Sequence, residues 1–170
     1  MKYYYIGDTL NDEAAEKFTS FISSNPEEDL TIYISSPGGN VDAMGVLLHA
    51  INKNAHRIIL VATGAIYSCA FILFYSVKCE REILEGASGL YHYLGNTGMR
   101  FTAGGVPDNP TDRAKYKETK KDAKKEIDWC KKLGMNKEEI EIIKRSDEAF
   151  FSNERLREFL EKQEEEMSPY

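Results

Sequence analysis

Cysteine is scarce in this chain: there are three, Cys69, Cys79 and Cys130, and no two stand in a Cys-x-x-Cys pair. An odd and scattered set gives neither a disulfide framework nor a metal-ligand spacing, so a reducing, cytoplasmic setting without a metal is expected. A basic patch is missing too. The formal net charge is -6, and the lysines between Lys115 and Lys132 are interleaved with Glu and Asp. Because phosphate binding runs on clustered Lys and Arg, nucleic acid is excluded as a main partner. Residues 1–11 lack the basic stretch and apolar core of a secretory signal, so no export is expected, and no internal repeat is visible.

Long apolar runs are limited to one. Residues 58–77 carry no charge and come close to the length of a membrane-crossing helix. A β-branched start, Gly64 as punctuation and a second apolar segment from Ser68 favour a buried strand followed by a buried helix. No membrane partner is expected.

What is present reads as one ordinary domain, since 170 residues suffice to bury about two-thirds of the unfolded surface. Residues 3–6 predict a strand, and Ala14, Phe18, Phe21 and Ile22 recur at helical spacing behind a possible cap at Asn11. Residues 30–35 predict a second strand, broken by Pro37-Gly38-Gly39, after which Val41, Met44, Leu48 and Ile51 mark one helix face. Residues 57–63 predict a third strand leading into the buried helix from Ser68, with short strands at 81–84 and 88–93. Such alternation implies an α/β fold, a mostly parallel sheet covered by helices.

From Asp112 a long charged helix with a thin apolar stripe (Tyr116, Ala123, Ile127, Cys130) runs to Gly134. A shorter helix follows with Asn136 as cap and Glu139 three residues later, and a last one starts near Ser152. The expected organisation is a core over 1–110, a long helix over 111–135, and C-terminal helices over 136–170 completing the same domain.

Chemistry in such a fold concentrates where strands hand over to helices. Two turns qualify: Ser35-Ser36-Pro37-Gly38-Gly39 and Gly64-Ala65-Ile66-Tyr67-Ser68-Cys69. A serine at a helix start lies near the positive end of the dipole, and the N–H of the next residue, Cys69, has no intrahelical acceptor. Gly39, lacking a Cβ, lets backbone approach a carbonyl closely and offers a second N–H. On these grounds alone a cap at Ser68 and a plain turn at Gly38-Gly39 are the commoner outcomes.

Resemblance adds to this. Ile32-Tyr33-Ile34-Ser35-Ser36-Pro37-Gly38-Gly39-Asn40-Val41 resembles the strand-and-turn signature of ClpP, the proteolytic subunit of the Clp protease. Residues 64–70 resemble that family's nucleophile turn, residues 78–84 its basic strand, and Leu90-Tyr91-His92 falls where its catalytic histidine lies. The likeness runs from about Tyr5 to Phe159. It implies the ClpP/crotonase-like fold with a projecting handle helix over 112–133. It also implies a serine endopeptidase acting on peptides or unfolded proteins without a cofactor, inside a homo-oligomeric ring or stacked rings. Ser68 would be the nucleophile, His92 the general base, Gly39 and Cys69 the oxyanion donors, and Gly38 a substrate-binding residue. For the third member, alignment on Phe150-Phe151-Ser152 selects Glu148, while the family's usual residue type selects Asp147. His49 and His56 match no family position and are read as structural.

Departures from the pattern are Tyr67 before the nucleophile, Tyr93-Leu94 after the histidine, a Gly- and Pro-rich insertion over 95–111, and a changed C-terminal segment over 157–166. The short stretch before the first strand weighs against docking an AAA+ unfoldase. Two rival readings share the fold: a crotonase-type acyl-coenzyme A enzyme, and a catalytically inactive ring subunit or scaffold.

Overall fold

Tyr4 and Ile6 turn inward from the first strand while Tyr3 and Tyr5 stay exposed, the two-residue period of a half-buried strand. This strand, β1 (Lys2–Ile6), opens a computed structural model that describes residues 1–92, 110–145 and 148–167. Helix α1 (Asp12–Ser24) starts where the Asn11 side chain accepts the Ala14 N–H at 2.8 Å, and it buries Ala15, Phe18 and Ile22. Strand β2 (Leu30–Ser36) and helix α2 (Val41–Lys53) repeat the unit. The buried face of α2 is Ala43, Met44, Leu47 and Ile51, whereas Val41 is 48% exposed and Leu48 half-buried. Compared with the expected stripe, the face is rotated, with Ala43 and Leu47 buried in place of Val41 and Leu48.

Strand β3 (Ile58–Tyr67) is four residues longer than its expected end at Thr63, so the segment from Gly64 to Tyr67 is strand rather than turn. The extension has a partner-switching cause. Residues Ile59 to Ala62 pair in parallel with β4 (Glu80–Ile83), and Ala65 to Tyr67 pair in parallel with β5 (Ser88–Tyr91). Gly64 lies between the two pairings, where a Cβ would come within 2.5 Å of the Ser35 hydroxyl oxygen. The pairing of β2 with β3 slips there as well, from Ile34 opposite Ala62 to Ser36 opposite Ile66. The six-stranded sheet runs β1-β2-β3-β5-β6, the last strand being Ala149–Phe151, with β4 also on β3, and the expected α/β class holds.

Helix α3 (Cys69–Ser76) buries six of its eight residues. Phe71 stacks on Phe151 at 5.4 Å between centroids and meets Phe159 edge-on, while the Tyr75 hydroxyl donates to the Leu156 carbonyl at 2.7 Å. These contacts seat β6 (Ala149–Phe151) and the start of α6 (Asn153–Met167). The uncharged run over 58–77 is thus a strand and a short helix, and among the described residues no helix is long and apolar enough to cross a membrane.

Two compact units divide the chain, 1–91 with 150–160, and 92–149 with 161–170. In the second, α4 (Pro110–Leu133) buries Ala123, Ile127, Cys130 and Leu133. It ends in a Schellman closure: Gly134 has φ 101°, and the Met135 N–H reaches the Cys130 carbonyl at 3.0 Å. Helix α5 (Lys137–Lys144) then starts on the expected capping box, Asn136 and Glu139 exchanging bonds of 3.0 and 2.6 Å.

Candidate active site

Ser68 joins β3 to α3 with φ 53° and ψ −121°, the one non-glycine residue at positive φ among those described. A backbone held in so sparsely populated a region costs about 1–3 kcal/mol and persists only where its surroundings over-determine it. Here the surroundings do so. The Ser68 N–H donates to the Leu90 carbonyl on β5 at 2.8 Å, and the Ser68 carbonyl accepts from Ile72 at 3.2 Å. Its side chain makes no capping hydrogen bond to the helix it precedes. The commoner role of a serine at this position, capping, is therefore not the one it fills.

Against this turn lies the Gly38-Gly39 loop. A Cβ on Gly38 would sit 2.6 Å from the Tyr67 carbonyl and 2.9 Å from both the Cys69 nitrogen and the Ser68 Cβ. With φ of 91° at Gly38 and 146° at Gly39, both positions also need glycine for their backbone. From the other side the β1–α1 connection grips the loop. The Leu10 N–H donates to the Gly38 carbonyl at 2.8 Å, and the Asn40 N–H donates to the Leu10 carbonyl at 2.7 Å. Ser36, wholly buried, adds a second tie: its hydroxyl donates to the Asp8 carbonyl at 2.7 Å and accepts the Gly38 N–H at 3.1 Å. Sequence reasoning named Ser36 only as part of a turn; a hydroxyl between a strand and Pro-Gly-Gly was the available signal.

The orientation of the two amides follows. A trans peptide points its N–H opposite its C=O, so with the Gly38 carbonyl held by Leu10 the Gly39 N–H faces away from that amide. The Cys69 N–H, first in α3, lacks an intrahelical acceptor and stands at the positive end of the helix. Cys69 itself is buried, and its thiol donates to the Gly39 carbonyl at 3.2 Å. Burial pushes the thiol pKa up, and hydrogen bonding from Gly39, Ser68 and its own backbone pulls the other way.

Tyr67 does not stand over the turn unsupported. Its hydroxyl lies 3.1 Å from the Ser88 hydroxyl and its ring meets Phe150 edge-on at 6.4 Å. His92 directly follows the end of β5, half-buried, and is the first residue of the second unit. Glu148 is exposed just before β6, and Asp147 lies outside the described residues. His49 and His56 are exposed, on α2 and in the connection after it. Ser68, Cys69, Gly38 and Gly39 are thus brought together within the first unit, while His92 and Glu148 belong to the second. Among the described residues no cluster of His, Cys, Asp or Glu could hold a metal ion.

Known proteins share both sequence and fold with this chain. The ATP-dependent Clp protease proteolytic subunit 1 of Shouchella clausii is 33% identical over 93 residues, covering 52% of this chain and 48% of its own length. Subunit 3 of Streptomyces avermitilis is 27% identical over 92 residues, covering 52% of this chain and 42% of its own. The chain therefore spans about half the length of the curated relatives it matches. A mutant of ClpP1 from Listeria monocytogenes superposes with a TM-score of 0.61 at 19% identity, covering 92% of this chain and 86% of that one. The family profile described as Clp protease matches residues 3–155. Because that match covers well over half of its residues, the chain belongs to the Clp protease family.

Proposed function

We propose that this protein is a ClpP-like serine endopeptidase that hydrolyses peptides or unfolded proteins through an acyl-enzyme on Ser68, inside a homo-oligomeric chamber. The observation that carries the reading is the Ser68 turn: a strained backbone at a strand-to-helix junction, with a hydroxyl not engaged in capping. In this mechanism His92 takes the proton of Ser68 as the oxygen attacks a peptide carbonyl. The N–H groups of Gly39 and Cys69 receive the tetrahedral oxyanion, each donor being worth about 3 kcal/mol. Collapse breaks the C–N bond, His92 returns the proton to the leaving amine, and water then hydrolyses the ester with His92 again as base. Asp147 or Glu148 orients the imidazole. Support for His92 comes from the chain itself, since it stands two residues beyond Leu90, whose carbonyl holds the Ser68 amide. No metal or organic cofactor enters the mechanism.

Labelling with a fluorophosphonate, read by intact mass, tests the reading. One adduct is expected on wild type, none on Ser68→Ala, and a slowed one on His92→Ala. No adduct on assembled wild type would support a non-catalytic ring subunit instead. Thermal stabilisation by an acyl-coenzyme A without labelling would support the crotonase-type alternative.

A further inference from the structure

Gly39 and Cys69 come from different loops, and an oxyanion hole made of two loops depends on a fixed separation between its donors. One bond runs directly between these two residues: the Cys69 thiol donates to the Gly39 carbonyl at 3.2 Å. The peptide before Gly39 is held by the Leu10 N–H on the Gly38 carbonyl, and the peptide after it has its N–H on the Leu10 carbonyl. Besides the close approach of Gly38 to Tyr67, Ser68 and Cys69, the glycine loop meets the serine turn at the Gly39 carbonyl oxygen, and the thiol is what meets it there. Two adjacent glycines have wide rotational freedom, so an anchor at this oxygen restricts the pair more than it would restrict other residues. Cys69 is 1% exposed, and burial raises its thiol pKa, which keeps the sulfur protonated and donating at neutral pH.

Resting on the peptidase reading, we propose that Cys69 is a positioning residue whose side-chain thiol ties the serine turn to the Gly39 carbonyl and so sets the spacing of the two oxyanion donors. The thiol also shares a hydrogen bond with the Ser68 side chain, but the positioning proposed here acts through Gly39. Its loss loosens a hole that matters most when charge develops on oxygen, so the chemical step suffers while binding before it does not.

Phosphonylation of Ser68 by a fluorophosphonate, in which the Ser68 oxygen bonds to phosphorus and fluoride leaves, is followed at several probe concentrations to separate probe affinity (KI) from the phosphonylation rate (kinact). It is run on wild type, Cys69→Ala and Cys69→Ser, with Tm measured for each. A single weak hydrogen bond predicts kinact lower by about three- to ten-fold in Cys69→Ala with KI unchanged. Cys69→Ser, whose hydroxyl donates to the same carbonyl, is expected to recover most of the rate. If Cys69→Ala melts before it can be labelled, Cys69→Val takes its place, filling the space without a donor. Wild-type kinact in the folded donor-less variant, equal loss in the serine variant, or a change confined to KI overturns the positioning role and leaves the peptidase reading intact. A wild type that takes no label overturns the peptidase reading, and the positioning role with it.

Discussion

A methyl group on Gly38 would press on the Tyr67 carbonyl at 2.6 Å and on the Ser68 Cβ at 2.9 Å, at a φ of 91° that side chains rarely adopt. Gly45, in the middle of α2, has nothing within 4 Å of the same added atom. Opposite outcomes are therefore expected from one chemical change. Gly38→Ala is expected to lower stability by about 1–3 kcal/mol and to abolish the Ser68 adduct. Gly45→Ala is expected to raise stability by about 0.5–1 kcal/mol and leave labelling alone. Thermal melts and intact-mass labelling of both variants check the pair. At this scale the sequence was informative about residue type and mute about conformation. Ser68 stood out by its place before an apolar helix, yet nothing in Tyr67-Ser68-Cys69 announced its positive φ, which is accompanied by a bond to Leu90 more than twenty residues away. The thiol bond to Gly39 was equally invisible, since it joins residues 30 positions apart.

Caps were the elements' most readable feature. Asn11 and Asn136 take the roles their spacing predicted, because a cap is a local bargain between one side chain and the next few amides. Asn40 does the same for α2, accepting from Asp42 and Ala43 at 2.7 and 3.1 Å, but its own N–H also holds the Leu10 carbonyl beside the glycine loop. Asn40→Ala and Asn136→Ala are each expected to lose about 1 kcal/mol of stability. Only Asn40→Ala is expected to slow fluorophosphonate labelling, and equal labelling rates would show that the α2 cap does not support the site. What failed at this scale failed for reasons of pairing. The last third of β3 is strand because β5 receives it, and three-residue β6 is too short for any period to reveal.

For the whole molecule, the alternation of strands and helices foretold the parallel α/β sheet, since parallel strands need crossovers. The order in which strands lie side by side was not foretold: β3 serves both β4 and β5, a choice made by tertiary packing around Gly64. The third member of the proposed triad stayed open because Asp147 and Glu148 are neighbours of like chemistry, and residue type alone does not rank them. The proposed chamber predicts that sedimentation velocity finds species several times heavier than the 19.3 kDa chain, and a pure monomer would count against it. The three cysteines have another use. Cys69, Cys79 and Cys130 are all buried, in the serine turn, before β4 and along α4, and burial carries the Cys79 thiol up to about 11. A bulky alkylating reagent can reach such sulfurs only when the fold opens around them. The molecule thus carries three built-in clocks, and the order in which they run down would tell which part of it breathes first.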